Sequence, residues 1–374
     1  MARGGVPVDL TGWLLRRAVP CAFVVTAIGG TGARLAVERT LRERGWKQAL
    51  SPAEADLLVV CGPEHADMDE AIGRVWRQIP GPRAHVRAES ANDVPRLLDE
   101  ARVGLLDLTR QRRDADERDR TAREQAESES DGDEEMPMPG GVPMADRGED
   151  RDGLKLDQLH IALGPAMPDW PAGLSLRLTL QGDVVQEAQT SIVGGSPTTV
   201  PFWNPPLPDT DSPPDRALFR AAHALDSLQR FLAVSGWPTA VTGRRLRDAL
   251  LEGGGPTGDV RREALRWLRR VRRSRMLRWS TDGLGRVTDR APRVLRGDTT
   301  DRWSRWIDTV EETLTGPHGS GAPADASWEQ AAHAALELLP SLVVGQELAA
   351  ARLIMASLDP DTEAVGAYAP ERDA

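Results

Sequence analysis

The stretch "CAFVVTAIGGTGARLAVERTLRERG", residues 21–45, determines the fold of the first part of the chain. An apolar run leads into the glycine-rich turn 29–32, and the turn leads into a segment with the apolar spacing of a helix. Apolar runs and helical patterns then alternate, with runs at 55–63, 84–89 and 104–108 and helices at 66–79 and after residue 93. Such alternation indicates a parallel sheet covered by helices on both faces. We therefore predict a small doubly wound α/β domain over residues 1–110.

Residues 111–152 are dominated by charge. They hold fifteen Asp and Glu against seven Arg, and so supply most of the formal net charge of −10. With few large aliphatic side chains and a Pro/Gly-rich end, this stretch is predicted to be an acidic disordered linker. The two cysteines exclude a disulfide framework, and no signal peptide or apolar run of the roughly 18–20 residues needed for a membrane span is present. We expect a cytoplasmic protein, peripheral at most on the inner face of the membrane.

The second domain is predicted over residues 153–374. Its "LSLRLTLQGDVVQEAQ", residues 174–189, alternates apolar and polar residues around a Gly-Asp pair, the pattern of a β-hairpin with one buried face. The chain is then mostly helical after residue 215, with helices expected at about 215–235, 241–252, 259–279, 301–315 and 327–357. The predicted fold class is thus a flavodoxin-like α/β domain followed by an α+β domain with a β-hairpin and a helical bundle.

The turn Gly29, Gly30, Thr31 and Gly32 follows a strand and precedes a helix, which is where a phosphate could be bound by backbone N–H groups. No Walker lysine follows Gly32, and no strand ending in an acidic residue for ribose hydroxyls comes after the next helix. A nucleotide-binding enzyme or sensor that uses this turn as a phosphate loop is therefore an alternative hypothesis.

The segment from "GGTGARLAVERTL" through "SPAEADLLVVCGPEHADMDEAIGRVWRQIPGPRAHVRAESA" resembles the cluster-bearing small subunit of nickel–iron hydrogenases and of respiratory complex I. In that family, cysteines in the first turn and after a later strand ligate an iron–sulfur cluster. The matching positions here are Gly30, Ala33 and Ser90, which supply no thiolate. The resemblance implies that this chain has lost its cluster. Cys21 and Cys61 do not replace the ligands, and both are predicted to be buried small hydrophobic residues.

The second domain resembles the large, 49-kDa-type subunit of the same machines. "ALGPAMPDWPAGLSLRLTLQGDVVQEAQ" is similar to a hairpin of that family, in which a histidine helps to shape the quinone pocket of complex I. That histidine falls on Met167, which cannot donate a proton. The chain also lacks both Cys-x-x-Cys pairs that hold nickel and iron in a hydrogenase.

The segment 261–279 carries nine arginines and has two interpretations. It could bind nucleic acid or an anionic membrane. The preferred interpretation is an amphipathic helix, packed through Leu265, Leu268 and Val271 on its neighbours, with a solvated basic face. The six histidines show no metal-ligand spacing, and no nucleophile motif is present, so we predict no catalytic residue and no metal site.

These features together predict a non-catalytic accessory or regulatory subunit of a complex I-like or hydrogenase-like assembly, without a cofactor. Its expected partners are protein subunits of that assembly, with no nucleic acid. The two domains should also pack on each other, with the turn Gly29–Ala33 near the loop Gly164–Pro171, where Met167 and Trp170 fill the space left by the cluster and pocket. The alternatives are the nucleotide-binding protein and a quinone-binding oxidoreductase subunit with an altered pocket around Met167.

Overall fold

The first half of the protein is an α/β unit with a four-stranded parallel sheet. The computed structural model describes residues 17–130, 147–149, 155–195, 199–204, 213–252, 255–316 and 327–366. The strands of the first half are β1 (Cys21–Thr26), β2 (Lys47–Gln48), β3 (Leu57–Cys61) and β4 (Ala84–Ala88). Its helices are α1 (Thr31–Glu43), α2 (Ala66–Gln78), α3 (Val94–Leu106) and α4 (Leu108–Ser130).

The sheet has the order β2-β1-β3-β4, and all its strands are parallel. In the register, Val24 of β1 lies opposite Val59 of β3, and Val59 lies opposite Val86 of β4. Alternate residues of the strands enter two separate cores, one containing Val24 and Val59 and the other containing Val25 and Val60. The sheet is therefore covered on both faces, as the continuous apolar runs predict.

Two short elements of the first half differ from the prediction. The predicted alternation has no strand between α1 and β3, but Lys47 and Gln48 pair with β1 as a strand of two residues, which does not end in an acidic residue. The apolar residues 104–108 were expected to form a closing strand, but α3 continues through Leu106. Gly104 and Leu105 are buried against the sheet on the inner side of that helix, so their apolar character reflects helix packing.

The prediction of a disordered linker is wrong for residues 111–130, which belong to α4. Asp107 accepts hydrogen bonds from the backbone N–H groups of Thr109 and Arg110 at the start of this helix. Arg83 donates two hydrogen bonds of 3.0 Å to Asp114, which fixes the helix to the α/β unit. Arg, Glu, Gln and Ala have high helix propensity, so a strongly charged segment forms a helix once its start is anchored.

The second half begins with an antiparallel sheet of order β5-β6-β7-β8. Its strands are β5 (Arg147–Glu149), β6 (Lys155–Leu163), β7 (Leu174–Gln181) and β8 (Val184–Ile192). Gly182, with φ of +64°, begins the two-residue turn between β7 and β8, so the predicted hairpin is confirmed. Strand β5 also lies inside the predicted linker and is a second departure from disorder there. The rest of that linker, 131–146 and 150–152, lies outside the described residues.

Eight helices of the second half lie within the described residues. They are α5 (Pro213–Val234), α6 (Ala240–Leu251), α7 (Gly258–Arg272), α8 (Arg275–Thr281), α9 (Thr299–Thr315), α10 (Trp328–Val343), α11 (Leu348–Leu358) and α12 (Thr362–Gly366). They surround one large core that also receives the apolar face of β7. Helix α5 lies at its centre, where Leu225, Leu228, Phe231 and Leu232 are fully buried.

Two of the long helices expected in the second half are interrupted. The segment 259–279 breaks at Ser274, whose side chain caps α8 by accepting a hydrogen bond from the Leu277 N–H. The segment 327–357 breaks at Gly345, with φ of +78°. There the backbone pairs with β8, because Gly345 donates to the carbonyl of Val185 and Val185 donates to that of Gln346.

None of the helices in the described ranges combines the length and the apolar character that a bilayer crossing needs.

Candidate functional site

The glycine-rich turn lies at the carboxyl end of β1, next to the end of β3. The Gly30 N–H donates to the carbonyl of Ala27 in a tight turn, and the Ala27 N–H donates to that of Cys61. A Cβ atom on Gly30 would lie 2.1 Å from the Cys61 carbonyl oxygen. No side chain fits at this position, so in the present backbone the turn could not present a cysteine from residue 30. Glycine is required here for the close approach of two backbone segments.

An internal carboxylate occupies the N–H groups of this turn. The Glu363 Oε1 atom accepts hydrogen bonds of 3.1 Å from both the Gly29 and the Thr31 N–H groups. Its Oε2 atom accepts one of 2.9 Å from the Phe202 N–H. Glu363 is only 2% exposed and lies at the N-terminus of α1, where the helix dipole favours a negative charge. Glu363, from the C-terminal end of the second half, thus takes the place that a phosphate would take in this turn.

Asp361 holds the segment that carries Glu363. Its Oδ1 accepts from the N–H groups of Glu363 and Ala364, and its Oδ2 accepts a 2.6 Å hydrogen bond from the Trp328 indole. Burial, with the nearby Glu363 charge as a second cause, raises the pKa of Asp361 to about 6. The turn is therefore closed by the carboxylate of Glu363, and the residue that holds the Glu363 segment in place, Asp361, is itself titratable.

A small polar cavity lies between the two halves beside Glu363. Its volume is about 30 Å³, enough for one or two water molecules. Thr31 and Arg34 of the first half line it together with Trp170, His223 and Arg230 of the second half. Burial lowers the pKa of His223 to about 4, so this imidazole is neutral at neutral pH. The cavity is far below the roughly 300–1,000 Å³ of a site for a cofactor or drug-sized ligand.

A set of buried charges, the interface charge cluster, joins α1 to α5 and α6. Arg34 makes two hydrogen bonds to Asp226, of 3.1 and 2.7 Å, and one of 3.0 Å to Glu38. Arg247 donates to Glu38 at 2.8 Å and to Asp226 at 2.6 Å. These four residues are each 7% exposed or less, and Asp226 and Arg247 are fully buried. Each charge in this centre of the cluster therefore has opposite charges as hydrogen-bonding partners.

The interface charge cluster continues outward from this centre. It also contains the ion pairs Arg247–Asp248, Arg42–Asp248, Arg244–Asp169, Arg230–Asp226 and Arg230–Asp359. Five arginines thus face five carboxylates, with Glu38, Asp169, Asp226, Asp248 and Asp359 as the acidic members. Burial of balanced charges is tolerated where each is paired and hydrogen-bonded, as here.

The arginines of the cluster determine the charge state of its two central carboxylates, Glu38 and Asp226. Burial alone would raise the pKa of Glu38, but the guanidinium groups of Arg34 and Arg247 outweigh burial and lower it to about 2. For Asp226, burial is likewise outweighed by Arg34 and Arg230, which hold its pKa well below its usual range. Glu38 and Asp226 are therefore ionised at neutral pH, and neither carboxylate is available as a proton acceptor there.

The residues predicted at the lost cluster and pocket serve other roles in the structure. Ala33 is 3% exposed and packs in the core of the α/β unit. Ser90 is exposed after β4, where its Oγ accepts from the Asn92 N–H and caps a short 3-10 turn. The Met167 sulfur accepts from the Gly164 N–H at 3.0 Å, and the side chain packs on the large core. Trp170, in the same loop as Met167, lines the cavity with Thr31.

The two cysteines differ in environment. Cys61 is fully buried in the core, and burial raises the pKa of its thiol, so the prediction of a buried small hydrophobic residue is confirmed for it. Cys21 is half-buried at the start of β1, and burial followed by the nearby Asp56 raises its pKa as well. No group of three or more His, Cys, Asp or Glu side chains within the described ranges is arranged to hold a metal ion.

The sequence reasoning missed Glu363 and the interface charge cluster. One signal for the cluster was present, because Glu38 and Asp226 each directly follow an apolar residue within a helical pattern, in "LAVERTL" and "HALDSLQRFL". A charge on the apolar face of a helix indicates a buried pair. Glu363 offered no comparable signal, because its partners are backbone N–H groups about 330 residues away in sequence.

No protein-family model matches this chain, and a search of the curated proteins finds no match.

Proposed function

We propose that this protein is a non-catalytic accessory or regulatory subunit of a complex I-like or hydrogenase-like oxidoreductase assembly. The observation that carries the proposal is the occupation of the Gly29–Thr31 turn by Glu363. A turn that accepts no side chain at Gly30 and already binds an internal carboxylate has no open position for a ligand. In this proposal the chain keeps its small-subunit-like and large-subunit-like halves for packing and interaction, without the chemistry of the family.

The parallel strand order β2-β1-β3-β4 supports a flavodoxin-like class for the first half. The packing of that half on the second through the interface charge cluster supports the small-subunit and large-subunit interpretation. In support, Thr26 at the carboxyl end of β1 lines the same cavity as Trp170. A chain that joins two such units internally would present only its outer surfaces to partner subunits.

The proposal is tested by purification of the tagged full-length chain from its native host, followed by mass spectrometry. We expect subunits of an oxidoreductase assembly in fixed stoichiometry. Recovery of the chain alone, under mild detergent and low salt, would contradict an accessory role. In parallel, metal analysis of anaerobically prepared protein should find no iron, whereas about four irons per chain with a broad visible absorption band would indicate a cluster.

The nucleotide-binding alternative predicts that a nucleotide stabilises the protein, whereas our proposal predicts no stabilisation. A phosphate in the turn would have to displace Glu363, since both require the Gly29 and Thr31 N–H groups. A thermal-shift screen with NAD(P), ATP and GTP should therefore give no stabilisation. A ligand at 100 times its dissociation constant would stabilise the protein by about 2.7 kcal/mol, and a shift of that size in the wild type would favour the alternative.

The quinone-binding alternative requires space beside Met167. The half-buried Met167 packs on the large core, and the cavity of about 30 Å³ near Trp170 is too small for a quinone ring. This alternative therefore requires the two halves to open. Photo-labelling with an azido-quinone should leave the segment 164–171 unmodified, and labelling of that segment would favour a pocket.

A further inference from the structure

The end of α7, helix α8 and the segment before α9 carry a basic surface with exposed apolar side chains. Residues 266–296 hold eleven arginines and two aspartates, a net charge of +9 in a chain whose total is −10. Within this stretch, Trp279 is 86% exposed and Met276 is 76% exposed, both on α8. We define the basic aromatic surface as Arg273, Arg275, Met276, Arg278 and Trp279.

The inner side of α8 fixes this surface in place. Leu277 and Thr281 are buried, and the Thr281 Oγ1 atom accepts a 3.2 Å hydrogen bond from the Trp303 indole in the large core. Because Met276 and Trp279 are three residues apart on a helix, they lie on one face of it. The exposure of Trp279 is therefore imposed by an anchored helix.

The arginines of this surface are available to a partner. Neighbouring acids are already engaged, Asp308 and Glu311 by Arg272 and Glu263 by Arg245. Among the described residues, no carboxylate lies within ion-pair distance of Arg273, Arg275 or Arg278, and all three side chains are exposed. The partner must supply negative charge to the arginines and an apolar environment to Trp279.

We propose that the basic aromatic surface docks on an anionic lipid bilayer. Arginines attract the acidic headgroups of such a bilayer, while tryptophan and methionine enter the boundary between headgroups and acyl chains. A single-stranded nucleic acid fits less well, because its successive bases need several stacking platforms. Trp279 is the one aromatic residue among the highly exposed apolar side chains of the described residues. This inference does not depend on the accessory-subunit proposal.

The experiment is co-sedimentation of the full-length chain with vesicles of phosphatidylcholine, with and without phosphatidylglycerol. We expect sedimentation only with the anionic vesicles and a decrease as salt is raised, because headgroup attraction is screened. Each arginine near the surface contributes about 1 kcal/mol, which is about a fivefold change in the partition coefficient. The triple variant Arg273→Gln/Arg275→Gln/Arg278→Gln should therefore bind roughly 100-fold more weakly, and Trp279→Ala several-fold more weakly.

Matched controls separate this surface from general charge. The triple variant Arg39→Gln/Arg77→Gln/Arg220→Gln removes three exposed arginines elsewhere, and Val103→Ala removes an apolar side chain that is 69% exposed. Both controls should bind like the wild type. Equal binding to neutral and anionic vesicles, no binding to either, or wild-type binding by the Arg273/Arg275/Arg278 variant would overturn the proposal. Binding of a single-stranded RNA, but not of vesicles, through the same arginines would assign the surface to nucleic acid instead.

Discussion

Glu363 shows how one side chain can define the state of a glycine-rich turn. In phosphate-binding turns, the N–H groups at the start of a helix face a ligand. Here the Gly29 and Thr31 N–H groups face a carboxylate of the same chain, with Phe202 as the third donor. The turn keeps the geometry of an anion site, but the anion is covalently part of the protein.

Replacement of Glu363 by Ala should destabilise the protein by about 2–4 kcal/mol. The variant loses three charge-assisted hydrogen bonds and leaves buried N–H groups without an acceptor. Urea denaturation measures the free energy of unfolding. The control Glu337→Ala removes an exposed glutamate of α10 and should change that free energy by less than about 0.5 kcal/mol. Equal effects of the two substitutions would show that Glu363 does not support the turn.

Asp361 gives the same region a pH dependence. Its pKa in the folded protein, about 6, is above the ordinary value of 3.8, so the protonated form favours folding. That contribution is fully present below about pH 4 and is lost as the pH rises through 6. Relative to the wild type, Asp361→Asn should therefore gain about 2–3 kcal/mol of stability between pH 4 and pH 8.

The measurement for Asp361 is the difference in unfolding free energy between the wild type and Asp361→Asn across that range. The difference isolates Asp361, because Glu38 and Asp226 titrate at lower pH in both proteins. A difference that does not change with pH would mean that Asp361 has an ordinary pKa.

At the scale of elements, helix α1 meets α5 and α6 through buried charges as well as through the large apolar core, to which Leu35 belongs. A buried pair is weak evidence for stability, but removal of one partner is costly because the other charge stays buried. Arg247 has three carboxylate partners, Glu38, Asp226 and Asp248, and is fully buried.

Arg247→Met should therefore destabilise the protein by about 3–5 kcal/mol. The matched control is Arg245→Met on the same helix, where Arg245 pairs with Glu263 and both side chains are about 40% exposed. Exposed pairs contribute about 0–1 kcal/mol, so the control should have little effect. Thermal or urea unfolding of the two variants distinguishes the positions, and similar losses would mean that the interface charge cluster is hydrated in solution.

The elements of this protein differ in how far the sequence predicts them. Strands β1 and β3 and the hairpin β7-β8 follow from apolar runs and a Gly-Asp turn, which are local signals. Helix α4 does not follow from the apolar pattern, because its anchors are the polar contacts of Asp107 and of Arg83 with Asp114. The break at Gly345 was not predicted either, since it arises from backbone pairing with Val185.

The candidate site was less predictable than the fold. The sequence located the turn 29–32, since glycines between a strand and a helix are recognisable. It could not show that Glu363 fills this turn, because that contact depends on how the C-terminal segment is folded back. Ala33 and Ser90 are adequately explained by core packing and by capping, so their identities alone do not reveal a former cluster.

At the scale of the whole molecule, each half places an apolar side chain in a core of the other, in addition to the charged contacts between them. Leu35 of α1 belongs to the large core of the second half, and Ala166 belongs to a core of the α/β unit. Glu363 and the interface charge cluster add polar contacts across the same boundary. The two halves should therefore behave as one unit even when the chain between them is cut.

A protease site inserted near residue 140, beyond the end of α4, tests this expectation. After cleavage, the fragments should co-elute in size-exclusion chromatography and remain together at high salt, because buried ion pairs are screened far less than exposed ones. The cleaved Arg34→Ala variant should separate more readily, since Arg34 supplies the two hydrogen bonds to Asp226. The same variant left uncut is the control, because its tether keeps the halves at a high effective concentration. Separation of the cleaved wild type at micromolar concentration would show that the tether, and not the interface, holds the halves together.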